Sequence, residues 1–181
     1  VYDASIARQL RDVDVIFCCT DTMVSRMVLT RFPQQYYIPL IDAGINIQVR
    51  DRQVSRIGGR VMALLPDDPC LDCLGYLDHA TLDRELSELG LLARTPYITG
   101  ADRLEPAVIS YNAVVAALAV NEFLRLFLDG FPELPSRSFL VFDGLAGVTR
   151  RVALTAERDC GVCTAVRGRA DSAPLPCRLD R

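Results

Sequence analysis

Four cysteines, arranged in two pairs, are the residues whose type and spacing most clearly indicate chemistry. Cys70 and Cys73 form one Cys-x-x-Cys pair, and Cys160 and Cys163 form a second pair about 90 residues later. Two such pairs can present four thiolates at the corners of a tetrahedron, which is the ligand set of a structural zinc ion. The pattern therefore predicts a zinc clamp between two distant segments, with a disulfide arrangement or simple packing of the thiols as alternatives.

An aspartate at the end of an apolar strand is the second position at which chemistry is indicated. The run over residues 13–19 predicts a strand buried on both faces of a sheet, and Thr20, Asp21 and Thr22 separate it from a helix predicted over residues 23–32. In doubly wound sheets the carboxyl ends of the strands bind ligands. Asp21 is therefore predicted either to hold magnesium bound to nucleotide phosphates or simply to cap the helix.

The composition of the chain narrows the chemistry and the compartment. The 181 residues, 50% of them hydrophobic, suffice for one domain with a core. The net charge of −3 gives no reason to expect a nucleic-acid partner, and no apolar run is long enough to span a membrane. All 20 basic residues are arginines, which excludes lysine chemistry from this sequence. The seven cysteines, without a leading apolar segment, indicate a reducing, cytoplasmic compartment.

The elements that would position these residues follow an α/β pattern. Thr81 is predicted to cap a short amphipathic helix that ends at Gly90, and Pro106 is predicted to open a long helix buried against the sheet. A long surface connection is predicted between these two helices, over residues 91–105. Further strands are predicted at residues 38–44 and 59–65, and a β-hairpin at residues 138–142 and 148–154.

The order of these features resembles that of one protein family. A strand ending in Cys-Thr-Asp, with Arg26 five residues beyond Asp21, is followed by Ile-Pro-Leu-Ile-Asp-Ala-Gly, by Pro-Cys-x-x-Cys-Leu, by an Ala/Val-rich helix and by a closing Cys-x-x-Cys. This succession is similar to the C-terminal portion of the ThiF/MoeB/HesA adenylyltransferase domain, the Rossmann-like fold of the E1-like ubiquitin-activating enzymes. The resemblance implies an α/β fold with a mixed sheet and flanking helices over residues 1–165, and residues 166–181 are predicted to be a disordered tail.

The resemblance also implies an activity and a set of site residues. Proteins of this family use Mg-ATP to adenylate the C-terminal glycine of a ubiquitin-like or sulfur-carrier protein, with release of pyrophosphate. Asp21 matches the residue that coordinates the magnesium, within a cofactor-binding turn formed by Thr20, Asp21 and Thr22. The structural zinc ligands of the family correspond in this sequence to Cys70, Cys73, Cys160 and Cys163. The family further implies a homodimer.

The chain departs from the family pattern in three respects. No Gly-x-Gly-x-x-Gly motif is found, so the glycine-rich nucleotide loop is expected upstream of Val1 and this stretch is expected to be inactive alone. Thr22 stands where family members often carry asparagine. No cysteine lies between Cys73 and Cys160, which favours adenylation without a thioester in the crossover segment. The alternatives are a non-catalytic, zinc-stapled pseudo-E1 subunit that binds a ubiquitin-like partner and an unrelated nicotinamide-dependent oxidoreductase.

Overall fold

Helices and strands alternate along the chain in an α/β fold. The computed structural model describes residues 3–89, 108–131, 138–154 and 160–177. The helices are α1 (Ala4–Gln9), α2 (Met23–Leu29), α3 (Phe32–Gln35), α4 (His79–Glu88), α5 (Ile109–Phe127) and α6 (Gly161–Val166). The strands are β1 (Ile16–Cys18), β2 (Leu40–Arg50), β3 (Gln53–Leu64), β4 (Ser138–Asp143) and β5 (Val148–Ala153). They are hydrogen-bonded in the order β1-β2-β3-β4-β5, which confirms the predicted α/β class.

The chain divides into two compact units. The first unit consists of Val1–Leu40, Leu64–Asp102 and Thr155–Arg181, and the second consists of Ile41–Ala63 and Arg103–Leu154. Asp21 and both cysteine pairs belong to the first unit. The second unit holds most of β2 and β3, together with α5 and the β4–β5 hairpin. No helix within the described ranges is long and apolar enough to cross a membrane.

In the first unit, β1 is buried on one face only. Ile16 and Cys18 are buried, whereas the side chain of Phe17 between them is 41% exposed. Successive side chains of a strand point to opposite faces, so the described residues cover a single face of β1. The prediction of a strand buried on both faces is wrong for this element, because an apolar run does not show what packs against it.

Pro33 lies in the first turn of a short helix of the first unit. The predicted helix over residues 23–32 ends as α2 at Leu29, and a second short helix, α3, starts at Phe32 with Pro33 in its first turn. Proline is tolerated there because the amides of the first turn have no partner within the helix. The side chain of Phe32 is fully buried and anchors α3 in the core of the first unit.

The segment after α6 is not the disordered tail that its composition predicted. The buried Gln35 donates from Nε2 to the carbonyl oxygens of Ala170 and Ala173, at 2.7 Å each. The Tyr36 hydroxyl donates to Asp171 Oδ1 at 3.0 Å. Burial, together with this hydrogen bond, raises the pKa of Tyr36 to about 12. Side chains of α3 thus fix this segment through contacts that local sequence cannot reveal; residues 178–181 lie outside the described ranges.

In the second unit, β2 and β3 form a long hairpin. The sequence predicted that β2 ends near Gly44, but the strand continues to Arg50. Asp51 and Arg52 have φ angles of 50° and 63°, so both adopt the left-handed conformation of a two-residue type I′ turn. The arginine-rich stretch over residues 50–56 is therefore the exposed tip of a hairpin, and a two-residue connection makes its strands antiparallel.

The long helix α5 is buried along one stripe and not around its circumference. Val115, Ala119 and Glu122, spaced four and three residues apart, are its buried residues, whereas Ile109 is 86% exposed. The sequence predicted a long helix buried against the sheet, and within the described residues α5 is buried through one face only. The buried Glu122 carboxylate accepts hydrogen bonds from Arg151, at 2.6 Å from Nη2, which compensates for its burial.

The hairpin formed by β4 and β5 confirms the sequence prediction. The strands pair antiparallel with Ser138 opposite Ala153 and Asp143 opposite Val148. Asp143 Oδ1 accepts from the amides of Leu145 and Ala146, at 3.0 and 3.1 Å, and so holds the connecting turn. The predicted connection over residues 91–105 and the predicted helix start at Pro106 lie outside the described residues.

The Gly59→Ala variant is expected to destabilise the second unit by about 1–3 kcal/mol, because an added methyl group overpacks this core. A Cβ at Gly59 would lie 2.6 Å from Val115 Cγ2 and 3.2 Å from Phe142 Cβ. Urea denaturation measures the effect. Gly58→Ala on the same strand is the matched control, since its Cβ would meet only the flexible side chain of Arg56, at 3.1 Å. Equal stability of the two variants would contradict the packing argument.

Candidate metal centre and strand-end carboxylate

The four cysteines of the two pairs come together in one cluster of the first unit. Cys70 Sγ lies 3.7 Å from Cys73 Sγ and 3.7 Å from Cys160 Sγ, and Cys73 Sγ lies 3.9 Å from Cys163 Sγ. All four sulfur atoms are within 4.8 Å of one another. Bonds of about 2.3 Å to a tetrahedral zinc ion require sulfur separations of about 3.8 Å. These distances fit a zinc site and are too long for disulfide bonds.

Both halves of the cluster are held by hydrogen bonds of the first unit. The amide of Leu71, which is fully buried, donates to Thr30 Oγ1 of α2's C-terminal end at 2.9 Å. Asp68 Oδ2 accepts from the Leu65 amide at 2.9 Å and shapes the turn before Cys70. On the other side, Cys160 lies at the N-cap position of α6 and accepts from Thr164 Oγ1 through its carbonyl oxygen at 2.8 Å, and Cys163 follows within the first turn. The core of the unit thereby positions one pair, and a short helix positions the other.

The thiols of the cluster are strongly perturbed by one another. A hydrogen bond with Cys163, followed by burial, raises the pKa of Cys70 well above its usual range. Burial, followed by the charge of Cys70, raises the pKa of Cys73 to about 12. Four thiolates can therefore share this small volume only with a cation that offsets their repulsion. Because all four ligand positions would come from the protein, the donor set fits a closed, structural zinc site.

Asp21 lies apart from this cluster, at the carboxyl end of β1. Its side chain is exposed, and no described residue forms a hydrogen bond or an ion pair with its carboxylate. The helix cap that the sequence offered as its alternative role belongs to the next residue: Thr22 Oγ1 accepts from the Ser25 amide at 3.3 Å. The exposed carboxylate of Asp21 is thus available to a ligand, whereas the Thr22 hydroxyl caps the N-terminus of α2.

The turn that carries Asp21 is also held on its N-terminal side. Arg26, a buried residue of α2, donates from Nη2 to the carbonyl oxygen of Thr20 at 2.8 Å. The hydroxyl of Thr20 lies 3.7 Å from the sulfur of the buried Cys18. Of the three predicted cofactor-binding residues, Asp21 therefore presents a charged group to solvent, and Thr20 and Thr22 connect the turn to the fold. Their cofactor contacts stay a prediction.

A glutamate that sequence reasoning missed completes this turn. Glu85 of α4 accepts from the Met23 amide through Oε1 at 3.1 Å and from the Val24 amide through Oε2 at 2.9 Å. More than 60 residues separate Glu85 from these amides, so no local motif could have identified the contact. The only available signal was an acidic residue on the polar face of a predicted amphipathic helix.

The cap of α4 itself differs from the prediction. Asp78 caps this helix through a hydrogen bond that Oδ1 accepts from the Ala80 amide at 3.2 Å, and Thr81 donates from Oγ1 to Asp78 Oδ2. Hydrogen bonding from Thr81 lowers the pKa of Asp78. The sole histidine, His79, contacts the carboxylate of Asp72 at 2.8 Å and is not part of the cysteine cluster. α4 therefore begins after Asp78, three residues before the predicted cap Thr81, and Glu85 lies in its second turn.

A comparison with models of protein families gives one match. The family model described as ThiF family matches residues 1–164, which include Asp21 and all four clustered cysteines. No curated protein matches the chain.

Proposed function

This chain belongs to the ThiF family, whose members are in general E1-like adenylyltransferases, and we propose that it takes part in ATP-dependent adenylation of the C-terminal glycine of a ubiquitin-like or sulfur-carrier protein. The observation that supports this most is the exposed carboxylate of Asp21, which lies three residues after β1 in a turn held from both sides. Ligands of open α/β sheets bind at the carboxyl ends of strands, where this residue lies.

The chemistry requires a group that holds a cation beside the phosphates. In the reaction, an oxygen of the carrier's terminal carboxylate bonds to the α-phosphorus of ATP, and the bond from that phosphorus to the departing pyrophosphate breaks. Magnesium supplies compensation for the negative charge of both reactants. Asp21 would bind this cation through its carboxylate, the donor that magnesium prefers. Arg26 and Thr22 keep the backbone of the turn in place.

The proposal includes a structural zinc ion at the four-cysteine cluster. Cys70 and Cys73 follow β3 in the chain, whereas Cys160 and Cys163 lie at the start of α6. Zinc would join these two segments of the first unit and thereby stabilise its fold. We further propose a homodimer, which rests on the family resemblance. We also propose a cytoplasmic location, which rests on cysteines suited to metal binding.

The test is carrier-dependent exchange between ATP and radiolabelled pyrophosphate. The protein is produced from its complete reading frame and assayed with purified ubiquitin-like and sulfur-carrier proteins of the same organism. We expect exchange with one carrier, and none when that carrier lacks its terminal glycine. A carrier that binds without supporting exchange would contradict the proposal and favour a zinc-stapled pseudo-E1 scaffold. Hydride transfer with a nicotinamide cofactor would favour the oxidoreductase alternative.

A further inference from the structure

We propose that Glu85 is a positioning residue for Asp21, which it serves by holding the turn between β1 and α2 in the conformation that binds the metal–nucleotide complex. This inference rests on the function proposed above and extends it to a residue of α4. Glu85 is not expected to touch the nucleotide, because both of its carboxylate oxygens already accept hydrogen bonds from the backbone of α2.

Glu85 binds the backbone of α2 through both of its carboxylate oxygens. Each carboxylate oxygen accepts from one amide, Oε1 from Met23 and Oε2 from Val24. The first amides of a helix lack partners within the helix and carry the positive end of its dipole, so an ionised carboxylate is a favourable acceptor there. Hydrogen bonds to a charged acceptor are stronger than those between neutral groups. These amides are therefore engaged internally and are not open to a phosphate.

Side chains from two different helices bind the backbone on either side of Asp21. On one side, Arg26 of α2 binds the carbonyl oxygen of Thr20. On the other side, Glu85 of α4 binds the amides that begin two residues after Asp21. Rotation of the Asp21 backbone therefore requires that one of these contacts breaks. Because a metal site needs its carboxylate held within a narrow range of directions, loss of the Glu85 anchor should weaken cation binding without removing any ligand.

The experiment uses the protein produced from its complete reading frame and compares Glu85→Ala with Glu88→Ala, a matched control at the exposed end of the same helix. Amide hydrogen exchange, followed by NMR in the nucleotide-free protein, should accelerate about tenfold or more at Met23 and Val24 in Glu85→Ala only. Binding of Mn²⁺ in the presence of ATP, measured by electron paramagnetic resonance, should weaken about tenfold in Glu85→Ala. Glu88→Ala should differ from the wild-type protein by less than about twofold in both measurements.

The outcomes separate positioning from a purely structural role. Faster exchange at Met23 and Val24 with unchanged Mn²⁺-ATP affinity would overturn the proposal and leave Glu85 as a helix cap only. If Glu85→Ala loses zinc or its circular-dichroism signal, Glu85→Gln replaces it, since the amide retains one acceptor oxygen. The Mn²⁺-ATP affinity of Glu85→Gln should lie between those of the wild-type protein and Glu85→Ala. An affinity equal to that of the wild-type protein would again overturn the proposal.

A failure of the proposed function gives a different result in the same experiment. In that case the wild-type protein itself shows no Mn²⁺-ATP binding that depends on Asp21, and the positioning role falls with it. If instead the wild-type protein binds and Glu85→Ala binds equally well, the proposed function stands and only the role of Glu85 is refuted.

Discussion

The Cys70→Ser variant is expected to lose its zinc and to unfold at a lower denaturant concentration than the wild-type protein. Cys70 is almost fully buried, and its sulfur lies 3.7 Å from those of two partner cysteines. Structural zinc in zinc-finger peptides contributes roughly 10–16 kcal/mol, and this binding energy is also folding energy. Because the variant loses the ion, it loses this contribution with it, so the free energy of unfolding should fall by more than about 4 kcal/mol.

Elemental analysis and urea denaturation, carried out on the same preparations, measure this effect. The wild-type protein should contain one zinc per chain, and the Cys70→Ser variant much less. Cys177→Ser is the matched control, because Cys177 lies outside the cluster of four; it should keep its zinc and its stability. Full zinc content in Cys70→Ser, or wild-type stability after its zinc is lost, would refute the clamp.

The Asp21→Asn variant should lose carrier-dependent pyrophosphate exchange by a factor of about 100 or more, with its fold intact. A bound metal ion contributes several kcal/mol to stabilising charge on a reacting phosphate, and about 2.7 kcal/mol corresponds to a hundredfold change in rate. The side chain is exposed, and no described residue forms a hydrogen bond or an ion pair with it, so its replacement by the isosteric asparagine removes no internal hydrogen bond. The melting temperature and the zinc content should therefore stay at their wild-type values.

The matched control for this variant is Asp14→Asn, an exposed aspartate just before β1. It changes the net charge by the same amount but lies at the opposite end of the strand, so exchange should stay close to the wild-type rate. Equal loss in both variants would indicate a general charge effect. Retained exchange in Asp21→Asn would remove this carboxylate from the mechanism.

The sequence alone determined those features that depend on short spacings. Two Cys-x-x-Cys pairs identified the four cysteines that cluster in the fold, because two residues between cysteines allow both thiols to face one point. The hairpin of β4 and β5 followed from two short stretches joined across Asp143-Gly144 and Gly147, whose turn chemistry is local. The apolar strand before Thr20 and Asp21 likewise placed a carboxylate at a strand end. In each case the information lies within a few residues.

The tertiary structure decided which faces are covered and which distant groups meet. An apolar run did not show that α5 is buried only along Val115, Ala119 and Glu122, because burial depends on what packs against the helix. The contact of Gln35 with the segment after α6 crosses 135 residues or more, and that of Glu85 with the amides of α2 crosses more than 60. Contacts at such separations are set by the packing of whole elements. The sequence thus identified Asp21 as a candidate ligand at a strand end, and the fold supplied the carboxylate of Glu85 that binds the amides after it.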